Sequence, residues 1–321
     1  MFPQDDIGGT ELPVPRFVAM SSLKELSETD VEEERLDLRS LGTEDWWWPF
    51  LVTTRIEGQP LKSIAGQLTP HNRIQMAHNL GKAVRALFDT PLPDDLPSDL
   101  SNLRKEYFPS FLDERMRECV RDHERWKTLP PRLIAEIQAY LPSPSAELLS
   151  ERVEAEFGLI HADIHSEHAR ISLYRDEGGD QQLKFEGLID FGDAILGTKL
   201  YEMVQVHLSN FLCDKDMLRE FFEEYFGSTF LEAVFVGDEE QEEEREKKAS
   251  EERTRKTLKD RFVHHCMCYS LLHEFDALSS TLFRIDFNNV RDLDHLAHLI
   301  WDLSMKEMVP RVWKQDWGWD T

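Results

Sequence analysis

The sequence predicts an α+β chain, with a small strand-bearing N-terminal part and a larger, mainly helical part behind it. Three observations predict it. Aromatic and β-branched residues crowd together in "WWWPFLVTTRIEGQPL". Apolar residues fall at helical spacing from residue 70. Short apolar runs return between residues 157 and 193 before helical spacing resumes.

The elements follow in order. "LPVPRFVAM" carries a short apolar run over residues 17–20 behind two prolines, which suits an edge strand. "SETDVEEERLDLRSLGTED" is a charged connector. Residues 49–55 read as a strand, and 56–60, with Gly58, as a turn or hinge. The two parts are therefore expected at 1–58 and 59–321. Ile74, Ala77, Leu80, Val84, Leu87 and Phe88 share one helical face, with Thr69 as cap and Pro70 as first helical residue. "LPPRLIAEIQAYLPSPS" reads as one helix closed by prolines, and "SAELLSERVEAEF" as a short helix or the approach to a strand.

"FGLIHADIH", "ARISLYR" and "LKFEGLIDFGDA" then have the length and composition of strands, the last two separated by the hairpin-turn composition of "DEGGDQQ". Helical spacing resumes at Leu200 in "YEMVQVHLSNFL", "LREFFEEYFGSTFLEAVF" and "VRDLDHLAHLIWDLSMKEMV". Residues 238–261 are dense in Glu, Lys and Arg and read as a charged, solvated insertion that offers a surface to a protein partner. In "VHHCMCYSLLHEF", His264, Met267, Cys268 and Leu271 share a helical face, which points to core packing rather than to a metal site. The tryptophans of "VWKQDWGWDT" suit a tail pinned to a surface.

Composition narrows the function classes. The 321 residues are 40% hydrophobic, enough for a substantial core. Asp plus Glu outnumber Lys plus Arg by 62 to 37, and a net charge of -25 repels nucleic acid and anionic membranes. No apolar run is long enough to span a membrane, and no signal-peptide pattern opens the chain. Cys119, Cys213, Cys266 and Cys268 form no CxxC pair and read as reduced thiols, so a cytoplasmic setting is expected.

The chemistry concentrates in "HADIHSEH" and "LIDFGD". Each places an aspartate, Asp163 or Asp190, just after an apolar strand. If those strands pair as a hairpin, both carboxylates emerge at one sheet edge. Two carboxylates at the end of buried strands need a positive partner, and a divalent cation carrying phosphate would provide one.

These residues carry a family resemblance. "HADIHSEH" resembles the catalytic loop His-Gly-Asp-x-x-x-x-Asn of the aminoglycoside phosphotransferase family, which has a protein-kinase-like fold. "LIDFGDAILGTKLYEM" is similar to its following segment, Ile-Asp-Phe/Trp-Gly-x-Ala, then Gly-Asp-Pro and an aromatic–acid pair. "LPVPRFVAM" and "WPFLVTTRIEGQPL" resemble its fourth strand, fifth strand and hinge. The matches stand in family order over about residues 12–205. The resemblance implies a kinase-like fold with a remnant β upper lobe, 1–58, and a large helical lower lobe, 59–321, carrying a catalytic-loop hairpin at 157–193. It implies transfer of the γ-phosphate of ATP or GTP to a small-molecule hydroxyl with the help of Mg²⁺ or Mn²⁺.

The implied roles go residue by residue. Asp163 would accept or orient the hydroxyl proton, and His161 would brace the site. Asp190 would anchor the metal, with His168 as second ligand where the family has asparagine. The hinge residues Thr53, Thr54, Arg55 and Ile56 would face the nucleotide. Glu202 takes the place of the helix acid, and Thr198 and Lys199 replace the usual Asp-Pro. "DIGGTE" has glycines but no preceding strand, and Lys24 follows the Pro-Val-Pro match, so neither supplies the family's phosphate loop and lysine. The implied upper lobe is thus truncated, which brings in a second expectation, a catalytically weak or inactive pseudokinase-type binding protein. A third is a metal-dependent hydrolase built on His161, Asp163, His165 and His168.

Overall fold

The computed structural model describes residues 17–24, 47–91, 98–142, 148–149, 157–235, 245–282 and 284–305. The tryptophan-bearing tail and the charged connector between the first two strands lie outside these residues.

Strand β1 (Phe17–Lys24) pairs antiparallel with β2 (Trp47–Thr53), Phe17 facing Thr53. The strand expected at 49–55 thus starts two residues earlier and stops at Thr53. The turn expected over 56–60 is shorter than foreseen, because its last two residues form β3 (Gln59–Pro60), paired to Ile171 and Arg170. A tertiary contact draws the chain there. The Arg170 guanidinium donates to the Gly58 carbonyl at 2.7 Å. Gly58 has φ +82, and a Cβ at this position would lie 2.9 Å from the Ile171 backbone, so only glycine makes the passage.

After α1 (Leu61–Ile64), helix α2 (Pro70–Phe88) starts as its sequence indicates. Thr69 caps it, its hydroxyl accepting from the Asn72 amide at 3.1 Å, and the Asn72 side chain reaches back to the Thr69 amide. Ala77, Leu80, Val84, Leu87 and Phe88 are buried as expected, while Ile74 is half-buried.

Helix α3 (Ser98–Trp126) has no counterpart in the sequence reading. Its buried stripe is partly ionic. Phe108, Leu112 and Cys119 alternate with Arg115 and Asp122, whose side chains pair at 2.8 Å. The Arg115 guanidinium also donates to the carbonyls of Leu272 and His273, and His123 binds the Leu271 carbonyl. A core stripe written with charged residues does not register as apolar periodicity.

The single helix expected in "LPPRLIAEIQAYLPSPS" is two short ones, α4 (Pro131–Ile134) and α5 (Ile137–Tyr140). The break brings the Glu136 carboxylate to the Leu293 amide, 2.9 Å away. Four strands follow: β4 (Gly158–Ile160), β5 (Ala169–Arg175), β6 (Gln181–Leu188) and β7 (Ile195–Gly197). β5 and β6 form the hairpin that "DEGGDQQ" announces. β4 does not join it but pairs with β7. The strands bearing the two aspartates are therefore not partners in one hairpin, and other contacts must bring Asp163 and Asp190 together.

Helix α6 (Lys199–Gln205) runs on into a five-residue π-turn, Val206–Asn210. α7 (Lys215–Tyr225) and α8 (Ser228–Val234) separate at Gly227, and α9 (Arg245–Leu272) and α10 (Leu293–Trp301) complete the helical part. Residues 245–261 of the charged segment belong to α9, whose later turns bury Met267, Cys268 and Leu271 as expected, with His264 half-buried on the same face. All four cysteines are buried and none is in a disulfide. No helix among the described residues is long and apolar enough to cross a membrane.

Thr69→Ala removes the cap from the helix that lines one wall of this core. It is expected to cost about 1 kcal/mol, read as a lower denaturation midpoint with an unchanged denaturant slope.

Candidate active site

The site is built where β4 ends. At Ala162 the backbone turns left-handed, φ +66, a conformation that costs a non-glycine residue about 1–2 kcal/mol. A carboxylate holds it there. The Ala162 amide donates to Glu202 Oε2 at 3.0 Å, from the first turn of α6. Glu202 is fully buried. That burial pushes its carboxyl up to about 7, against the opposing pull of the Ala162 and His161 amides.

His161 is also buried, and its Nε2–H donates to the Ile189 carbonyl at 2.8 Å. Its ring packs on Phe191, with centroids 4.6 Å apart. Burial pushes its pKa down, so the neutral ring braces the end of β6 against the end of β4. Three further bonds fasten the loop. Asn210, on the π-turn, donates to the Ile164 carbonyl at 2.6 Å. The Lys62 amide donates to Ser166 and the Ile189 amide to His168. Asn210 carries no signal in the sequence that would single it out, because its partner lies 46 residues away.

Asp163 is 9% exposed. Burial raises its pKa, and the flanking His165 and His168 oppose that rise. Its Oδ2 lies 3.7 Å from His165 Nε2 and 3.8 Å from His168 Nδ1. Asp190 also sits in the left-handed region, φ +66, which aspartate tolerates better than most residues. Its carboxylate is exposed, and its Oδ2 is 3.4 Å from His168 Nε2.

His168 thus stands between the two aspartates. Its Nδ1 lies 2.7 Å from the Asp163 carbonyl oxygen, which only accepts, so this nitrogen carries the proton. In the neutral ring Nε2 then presents a lone pair to the Asp190 carboxylate, and a cation between them would remove the repulsion. The donor set of one imidazole nitrogen and one carboxylate oxygen fits a divalent ion, and it fits Mn²⁺ or Zn²⁺ better than Mg²⁺.

Asp163, Asp190, His161 and His168 therefore meet, as the sequence indicates. Thr53, Thr54, Arg55 and Ile56 lie apart from them on the passage from β2 through Gly58 to β3. They reach the site's frame through the pairing of β3 with β5, the strand that follows His168.

A loop with two aspartates set between small sheets and a helical body accords with a kinase-like fold. The model of the phosphotransferase enzyme family matches residues 7–245, and the chain belongs to that family. Lysine-specific demethylase JMJ21 of Arabidopsis thaliana is 23% identical over 281 residues, spanning 80% of this chain and 29% of that protein. The chain therefore spans less than a third of that relative's length. Among solved structures it is similar to aminoglycoside-3'-phosphotransferase of type VIII, with a TM-score of 0.39, 15% identity and coverage of 83% of this chain and 74% of that one. It is also similar to the streptomycin-ATP-APH(2")-IIa ternary complex, with a TM-score of 0.40, 12% identity and coverage of 89% and 75%.

Glu202 makes stability depend on pH. Its folded value lies above its ordinary 4.5, so the stability it contributes is full below 4.5 and is lost as pH rises towards 7. That interval corresponds to about 3 kcal/mol. Glu202→Gln keeps an oxygen for the Ala162 amide but cannot ionise. The difference in unfolding free energy between native and variant protein is expected to drift by this amount between pH 4.5 and 8. Parallel pH profiles would refute the assignment.

Proposed function

We propose that this chain transfers the γ-phosphoryl group of ATP or GTP to a hydroxyl of a small molecule. The observation that carries this reading is the placement of His168, one ring nitrogen towards Asp163 and the other 3.4 Å from Asp190. Asp163, buried and raised in pKa, receives the hydroxyl proton as the oxygen attacks phosphorus. Asp190 and His168 would hold a divalent cation, which when bound would supply positive charge against the transferred phosphoryl group. His161 and Glu202 keep the loop in position, and Thr53, Thr54, Arg55 and Ile56 border the nucleotide. The buried cysteines, none in a disulfide, accord with a cytoplasmic setting.

A second reading, nucleotide binding without turnover, is favoured by the imidazole at position 168 where the family has an amide. Turnover of a labelled nucleotide against a panel of hydroxyl acceptors separates the two.

Two substitutions test the site. Asp190→Asn retains tolerance of the left-handed conformation and removes the charge. It should weaken metal-dependent nucleotide binding about ten- to a hundredfold, and unchanged affinity by calorimetry would remove Asp190 from the metal site. His168→Asn should restore preference for Mg²⁺ over Mn²⁺, because an amide oxygen replaces the nitrogen donor. If His168 only packs under the loop, the ratio of the two metal affinities will stay the same.

A further inference from the structure

The groups acting most strongly on the Asp163 carboxylate are two imidazoles, His165 and His168, and two further carboxylates, Asp193 and Asp190. One ligating atom each from Asp163, His165 and His168 lie within 4.8 Å of one another. Asp163 Oδ2 stands 3.7 Å from His165 Nε2 and 3.8 Å from His168 Nδ1. In a tetrahedral zinc site, donors about 2.0–2.1 Å from the metal lie about 3.3–3.4 Å from each other. Each of these two pairs needs to close by only a few tenths of an ångström, and the two imidazole rings, whose centroids are 3.7 Å apart, swing apart so that both nitrogens converge on one ion. Two nitrogens and one oxygen suit a borderline transition ion and do not suit Mg²⁺.

The surroundings complete such a site. With Nδ1 of His168 on a metal, the ring gives up its 2.7 Å bond to the Asp163 carbonyl and its proton moves to Nε2, where the Asp190 carboxylate 3.4 Å away accepts it. That is the carboxylate–histidine–metal arrangement that orients ligating imidazoles in zinc proteins. His165, whose side chain is 27% exposed, moves its own proton to Nδ1 and gives up the bond from the Glu167 amide at 3.2 Å.

We propose that Asp163, His165 and His168 form a transition-metal site of the Zn²⁺ class that fills without nucleotide and withdraws Asp163 from phosphoryl transfer while occupied. This inhibitory role rests on the reading of Asp163 as proton acceptor. His168 then has two exclusive settings. With its lone pair on Nε2 it serves Asp190 and the nucleotide-bound cation. With its lone pair on Nδ1 it serves the trap, and Asp190 becomes its orienting partner. The metal takes the Asp163 lone pair that would receive the hydroxyl proton, and a fourth, open position remains for water.

The test titrates Co²⁺ into the nucleotide-free full chain and follows its visible d–d absorption, with Zn²⁺ as competitor. The native protein should give a tetrahedral Co²⁺ spectrum that Zn²⁺ displaces. Losing an orienting partner costs a metal site about ten- to a hundredfold in affinity, so losing the ligand in His165→Gln should cost at least about a hundredfold. Mn²⁺–nucleotide affinity should be unchanged in that variant, and its thermal melt should show an intact core. Equal Co²⁺ affinities in native and His165→Gln protein, or no tetrahedral spectrum in the native protein, would overturn the proposal. The phosphotransferase reading fails separately, on Mn²⁺–nucleotide binding that survives Asp190→Asn.

Discussion

The bond from the Ala162 amide to Glu202 is the contact on which the site depends. A left-handed alanine at the end of a short strand is costly, and a buried carboxylate holds its peptide in that shape. The helix bearing Glu202 begins two residues after β7, the partner of β4. The strand that delivers the loop and the helix that pins it are thus joined through a short, rigid connection. Shifting either would move Asp163.

A second support comes from below. Arg115, paired with Asp122, and His123 take up the last carbonyls of α9. His273, just past that helix, stacks on Tyr201 of α6, with ring centroids 4.7 Å apart. These bonds between buried polar groups tie α3, α6 and α9 into one block beneath the loop. Around these charged groups the protein buries an apolar cluster that runs from Leu61 to Leu303.

Much of this was legible along the chain. The cap at Thr69, the face of α2, the β5–β6 hairpin and the two aspartates are local signals, written within a turn or a strand. What escaped is non-local. α3 hides its stripe behind Arg115 and Asp122, and an unpaired view of those residues marks them as surface. The pairing of β4 with β7 rather than with the hairpin rests on three-residue strands, too short for composition to assign. Asn210 and its bond to Ile164 follow from a π-turn that no spacing announces.

By itself, then, the sequence determined the family and the order in which its candidate site residues stand along the chain. Apolar runs, turn residues and the spacing of Asp163, His168 and Asp190 are properties of neighbours along the chain. The tertiary structure alone decided how they face one another. It set His168 between two carboxylates that belong to different strand pairs, and it buried Glu202 until its carboxyl lay near neutrality. Both outcomes depend on desolvation and on distances across the fold, and those quantities exist only once distant segments have packed.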